Sequence, residues 1–132
     1  MIDTTDIDNW LERYQAAWLS DEPAQIAALF SDDVRYFTAP YAEPLVGIPA
    51  VTAFWLRQGE SRLPWTFEYE VVAREGELSV VRAVTSYPQG TAGAPGAEVF
   101  HNLWLVTLDG DRASEFVEYF MLVPAGEAGA GR

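Results

Sequence analysis

Four residues of this chain stand out as able to do chemistry: Tyr14, Arg82, His101 and Glu118. Glu118 lies in the run EFVEYFML, where period-two alternation puts it on one strand face with Phe116 and Phe120, and puts Glu115 with Val117 and Tyr119 on the other. Burial of a carboxylate among rings without a partner raises its pKa and suits it to general acid or base work. The competing reading is a carboxylate at the mouth of the fold, reaching water or a neighbouring chain. Arg82 sits in the middle of SVVRAVTSY, on one face with Val80, Val84 and Ser86. An unpaired buried guanidinium is costly, so it demands a carboxylate, and Glu118 is the expected partner. A plain structural salt bridge is the other reading of that pair. His101 is the one histidine, and an ordinary pKa of about 6.5 makes it the side chain ready to exchange protons near neutrality. Its facing depends on a turn. With Asp109-Gly110 as the two central residues, His101 falls opposite Glu118 and a dyad results; with a three-residue turn, Asn102 takes that place and His101 points outward. Both registers stay open on the sequence. The hydroxyl of Tyr14 is either a donor to a ligand oxygen or a core hydroxyl that meets Trp55 or the backbone. Trp18, Tyr36, Phe54, Trp55, Phe100, Asn102, Trp104, Phe116 and Phe120 are the candidates for lining a pocket around these groups, with core packing the default for each ring.

The elements that must position them can be read along the chain. Ile7, Trp10, Leu11, Tyr14 and Trp18 recur at spacings of three and four, which predicts an amphipathic helix from Asp6 to Ser20. Asp21-Glu22-Pro23 ends it and starts a second helix that runs through Phe30, with Asp21 as its N-cap. SDD then favours a turn, VRYF a strand, and the two prolines of TAPYAEP interrupt any ladder. VGIPAV places a glycine ahead of a third helix with Pro49 in its first turn, running through Trp55. Strands follow from Trp65 to Ala73, Leu78 to Tyr87, Ala97 to Leu108 and Arg112 to Val123, with hairpin connections at residues 74–77 and 109–111. PQGTAGAPG, residues 88–96, reads as a longer flexible connection and residues 124–132 as a disordered tail. The fold class is therefore α+β: three N-terminal helices packed on a strongly curved, mixed but mostly antiparallel sheet, in one domain over residues 1–123.

Composition removes several classes of function. Twenty acidic residues against eight basic ones give a net charge of −12, so the basic footprint of a nucleic-acid-binding surface is missing. No cysteine and one histidine exclude disulfides, thiolate nucleophiles and a His-rich metal site within one chain, and no calcium-loop spacing occurs. No metal and no cofactor is expected. The N-terminus lacks the pattern of a secretory signal, and no stretch approaches the ~18 consecutive apolar residues of a membrane span, so a cytoplasmic protein without membrane contact is expected. Five Trp, six Tyr and seven Phe are more ring surface than a small core requires, which points to a cavity.

RYQAAW in the first helix, IAALFSDDV at the second helix and first strand, EPLVGIPAVTAFW at the third helix and LDGDRASEFVEYF in the last hairpin together resemble the nuclear transport factor two-like, or SnoaL-like, cone-fold family. The resemblance runs from Asp6 to Val123, and the N-terminal half is similar to ketosteroid isomerase. It implies a cone with an internal pocket, puts Phe116, Glu118 and Phe120 inside, and implies pairing of two copies through the outer face of the sheet. The oxyanion-binding tyrosine of the isomerase falls on Tyr14 and its supporting tyrosine on Trp55. The protonated aspartate of that family falls at or next to His101-Asn102, and its aspartate base falls on Thr38, which has no carboxylate to shuttle a proton. An Arg–carboxylate pair with a third polar group also resembles part of the limonene epoxide hydrolase arrangement. The expectation is a homodimer that binds a hydrophobic small molecule in an enclosed pocket, with a cofactor-independent acid–base reaction such as isomerisation, cyclisation, dehydration or epoxide opening. A noncatalytic ligand-binding or dimeric interaction domain is the alternative.

Overall fold

A computed structural model describes residues 3–57, 66–87 and 98–124. The flexible connection expected at 88–96, the tail beyond Pro124 and Trp65 lie outside the described residues. The chain order is α1 (Thr5–Ser20), α2 (Pro23–Ala27), β1 (Phe30–Phe37), β2 (Leu45–Val46), α3 (Ile48–Arg57), β3 (Thr66–Glu75), β4 (Leu78–Tyr87), β5 (Glu98–Asp109) and β6 (Arg112–Leu122). Among the described residues, three helices thus accompany one open, six-stranded mixed sheet of order β2-β1-β6-β5-β4-β3, in which β1 runs parallel to β6 and every other pair is antiparallel.

α1 buries Ile7, Trp10, Leu11, Tyr14 and Ala17, the stripe that its spacing prescribes. The junction with α2 differs from the sequence expectation. Asp21 is not the N-cap of the second helix but the left-handed C-cap of the first (φ 58°), its N–H donating to the Ala17 carbonyl at 3.2 Å. Pro23 holds Glu22 extended and makes that residue the cap instead. α2 is also shorter than expected, because Phe30 already belongs to β1. Ser31-Asp32-Asp33 is no separate turn; it is an irregular stretch inside β1, where the register against β6 slips between Phe30 and Arg35. Gly47 (φ 90°) carries the chain from β2 into α3, donating its N–H to Val34 and accepting from Val51 in the first turn of the helix.

One apolar core joins the helices to the inner face of the sheet: Trp10, Tyr14 and Trp55 from the helices meet Phe30, Val81, Ala83, Trp104, Val106 and Phe116 from the strands. Two of its indole N–H groups are tied down. The indole N–H of Trp10 donates to the Leu29 carbonyl at 2.8 Å, and that of Trp55 donates to the Tyr36 hydroxyl at 3.3 Å.

The last hairpin turns on Gly110 (φ 66°) and Asp111, with Asp109 paired to Arg112, one residue later than either register considered from the sequence. β6 then carries one extra residue, Ser114. Leu108 pairs with Ala113 whereas Thr107 pairs with Glu115, so a bulge intervenes. The bulge inverts the alternation of β6: odd-numbered Ala113 points into the core before it, even-numbered Phe116 after it. Glu118, two residues beyond Phe116, inherits the inner face.

Candidate active site

Glu118 pairs across the ladder with Trp104, not with His101 or Asn102. Two side chains of β5 close on its carboxylate. The indole N–H of Trp104 donates to Oε2 at 2.7 Å, and the amide of Asn102 donates to the same oxygen at 2.8 Å. The Asn102 amide is in turn oriented by Thr85 of β4, whose hydroxyl donates to Asn102 Oδ1 at 3.1 Å. Both donors thus converge on one carboxylate oxygen. When Glu118 is neutral its proton belongs on Oε1, since Oε2 is occupied by two N–H groups. Both of these donors are uncharged. Burial dominates and pushes its pKa up to about 7, against the opposing pull of the Asn102 and Trp104 hydrogen bonds.

Glu118 lies on the wall of a pocket of about 470 Å³. Its apolar wall is aromatic: Trp18 of α1, Phe54 of α3, Tyr87 of β4, Phe100 of β5 and Phe120 of β6, with Tyr41 from the β1–β2 connection. Thr38, Ala39, Thr85 and Asn102 complete it. Phe100 meets both Tyr87 (5.9 Å between ring centroids) and Phe120 (6.1 Å) edge to face.

The structure brings Glu118, Asn102, Trp18, Phe54, Phe100 and Phe120 together around this pocket. Tyr36, Trp55 and Phe116 are sealed in the core, and Trp104, equally buried, reaches the site only through its indole N–H. Tyr14 is 4% exposed and lies between the rings of Trp104 (5.0 Å) and Trp55 (5.2 Å), behind the pocket wall and not on it. The two remaining candidates face away. Arg82 does not meet Glu118; it is exposed on the outer face of the sheet, where it pairs with Glu70 directly across the β3–β4 ladder. His101 is exposed on that same face, so no His–Glu dyad forms. Together with Leu103, Tyr119 and Met121 these two line an adjoining depression of about 660 Å³, which shares Ala39, Tyr41, Asn102 and Phe120 with the wall of the Glu118 pocket. The facing of Arg82 follows from its neighbours: Val81 and Ala83 are buried, which leaves the even positions of β4 to solvent.

Thr85 was not anticipated, nor were Tyr41 and Tyr87. The signal for Thr85 was present, because a charged residue at 82 marks the even-numbered face of β4 as the outer one and so assigns Thr85 inward. Among the described residues, no group of three or more His, Asp or Glu side chains could hold a metal ion, and no helix is long and apolar enough to cross a membrane.

A helix-covered, open mixed sheet with a single carboxylate in an aromatic pocket defines an α+β small-domain architecture that hosts many activities. The chain belongs to the SnoaL-like domain family, whose sequence profile matches residues 11–116. Solved structures agree on the fold. A protein described as a SnoaL-like polyketide cyclase from Jannaschia superposes with a TM-score of 0.70 at 17% identity, covering 88% of this chain and 85% of its own. A ketosteroid isomerase-like protein from Erwinia carotovora gives 0.66 at 18% identity over 91% and 96% of the two chains. An LEH-like epoxide hydrolase from M. tuberculosis gives 0.63 at 14% identity over 89% and 84%. Identities this low carry the fold and not the activity. A comparison with curated protein sequences gives no significant match.

Proposed function

We propose that this domain binds a largely apolar small molecule in the pocket beside Glu118 and exchanges a proton with it. The observation that carries this reading is the carboxylate of Glu118, held by two neutral N–H donors in an aromatic pocket and poised near neutrality. A group with a pKa near the working pH is populated in both forms, so it can give a proton to a developing oxyanion or leaving group and take one back. Asn102 and Trp104 fix the oxygen that stays hydrogen-bonded, and Oε1 is the atom that carries the proton. The apolar wall supplies binding energy and keeps the carboxyl desolvated. The step needs no cofactor, and isomerisation, cyclisation, dehydration and epoxide opening all have this form. The pocket volume falls within the ~300–1,000 Å³ typical of small-molecule sites.

The test is turnover of a panel of cyclic ketones, epoxides and polyketide-like substrates by the native protein and by Glu118→Gln. Loss of general acid–base catalysis lowers kcat by about 10²–10⁴-fold with folding intact. Equal rates would remove Glu118 from the chemistry. A second reading, ligand binding without turnover, draws on Thr38, which lines the pocket where the isomerase resemblance would require a carboxylate; binding by both proteins with turnover by neither would select it.

We further propose that two copies pair through the outer face of the sheet, because Tyr119 and Met121 are 41% and 70% exposed there beside an apolar depression. Light scattering at micromolar concentration reports the dimer, and a monomer refutes it.

A further inference from the structure

The charge of the pocket is as informative as its shape. Its wall holds one carboxylate, Glu118, and no cationic side chain among the described residues. The eight basic residues of the chain are all arginine, and none of those among the described residues lines this pocket. Rings supply most of the remaining surface, and the electron-rich face of an aromatic ring attracts a cation. Phe54 already shows this behaviour on its α3 side, where the Arg57 guanidinium lies 5.9 Å from the ring centroid. The net charge of −12 adds a field that draws in cations and repels anions.

We infer that the ligand of this pocket carries a positively charged, alkylated nitrogen, an organic ammonium ion whose charge is shared between the Glu118 carboxylate and the rings of Trp18, Phe100 and Phe120. The inference rests on the reading of this pocket as a ligand site and adds the class of ligand. An ammonium ion supplies the charged partner that Glu118 lacks among the described residues: these give it only neutral N–H donors, which stabilise the ionised form less than a countercharge does. An anionic ligand would face a carboxylate and a negative field, with no counterion among the described lining residues.

Binding of such a cation is coupled to ionisation of Glu118. The groups that share the pocket wall with that carboxyl or bond it are Trp18 from α1, Phe54 from α3 with Arg57 above its ring, Thr38, Ala39 and Tyr41 from the β1–β2 connection, Thr85 and Tyr87 from β4, Phe100, Asn102 and Trp104 from β5, and Phe120 from β6. Glu115 on the same strand is engaged with Arg35, and His101 lies on the other face of the sheet. Glu118 is therefore the group whose titration a cation in the pocket senses.

The experiment is calorimetric titration with three probes of similar size: benzyltrimethylammonium, neutral benzylacetone and anionic hydrocinnamate. A quaternary nitrogen has no proton to lose, so any pH dependence of its binding belongs to the protein. The affinity for benzyltrimethylammonium should rise about tenfold or more between about pH 5.5 and about pH 8.5, as Glu118 ionises. Glu118→Gln should abolish that rise, and Phe100→Leu, which keeps apolar bulk and removes a ring, should weaken binding about threefold or more. Hydrocinnamate should bind most weakly of the three at the higher pH. Benzylacetone binding as tightly as the ammonium ion, or a pH dependence that survives in Glu118→Gln, overturns the inference while leaving the pocket reading in place. No binding of any of the three overturns both.

Discussion

The inner and outer faces of β4, β5 and β6 are made from alternate residues of the same three strands, yet they treat charge in opposite ways. On the outer face Glu70 and Arg82 meet as a pair, each more than 60% exposed, and Arg35 and Glu115 form a second, partly exposed pair across β1 and β6. On the inner face Glu118 has no cation beside it among the described residues; it has Asn102, Trp104 and a wall of rings. Water and salt screen the outer pairs, so they contribute little to stability and do little chemistry. The inner carboxyl is unscreened and unpaired, which costs stability and leaves it able to titrate near neutrality. The side of the sheet on which a glutamate falls thus decides what it does, and for Glu118 that side is set by its pairing with Trp104 beyond the bulge.

Beyond the bulge the contrast rests on which residues of β5 the strand meets: Phe116 sits opposite Val106 and Glu118 opposite Trp104. Phe116 is fully buried, so Phe116→Ala, which empties its place in the core, should cost about 3–5 kcal/mol, measured by urea denaturation. Deleting Ser114 removes the extra residue and leaves a regular ladder in which Ala113, Phe116 and Glu118 keep their partners and stay inward, so Glu118 should still titrate near pH 7. Ser114→Ala, which keeps the residue count and loses only a long 3.4 Å contact to the Thr107 carbonyl, should change stability by less than about 1 kcal/mol. A deletion variant in which Glu118 no longer titrates near neutrality would show that the bulge does more than absorb one residue.

The next effect concerns the cost of keeping Glu118 inside. Its pKa is about 7 in the fold against 4.5 for an ordinary glutamate, so the folded state binds this proton more tightly than the unfolded chain does. The neutral form therefore favours the fold: that contribution is fully present below about pH 4.5 and is lost as pH rises through about 7. The difference between the two pKa values corresponds to about 3 kcal/mol. Glu118→Gln keeps an amide oxygen for Asn102 and Trp104 and carries no charge. It should therefore be more stable than the parent by up to about 3 kcal/mol at pH 8, with the advantage fading toward pH 4. Parallel stability curves for the two proteins across that range would contradict the unpaired, desolvated carboxyl.

What the sequence disclosed follows the same division. Periodicity placed α1 and grouped Phe116, Glu118 and Phe120 on one strand face, glycine–proline punctuation placed α3, residue composition and turns placed the long strands, and the family resemblance put that face inside. Register was beyond it. The displacement of the turn to Gly110-Asp111 and the bulge at Ser114 are set by how β6 packs between β1 and β5, and no local pattern in LDGDRASEF announces either. Arg82 was misplaced for a related reason: valines flank it on both sides, so hydrophobic alternation is silent in β4, and only burial in three dimensions separates Val81 and Ala83 from Val80 and Val84. Asp21 shows the same limit at a helix end, where the backbone demand of Pro23 overrides a good capping side chain.

Arg82 also provides the smallest effect and the sharpest discrimination. If it were the partner of Glu118, as its place among valines suggests, Arg82→Ala would strand a buried carboxylate and cost about 3–5 kcal/mol. As an exposed partner of Glu70 it should cost no more than about 1 kcal/mol, and that loss should shrink further in high salt. The pH dependence of stability that Glu118 imposes should be untouched, because the guanidinium lies on the far side of the sheet. Urea denaturation of Arg82→Ala at low and high salt, with the Glu118 titration followed by NMR, separates the two cases. A small, salt-sensitive loss with an unmoved titration keeps the two faces independent; a large loss, or a shifted titration, would mean that charge on the outer face reaches the site through the sheet.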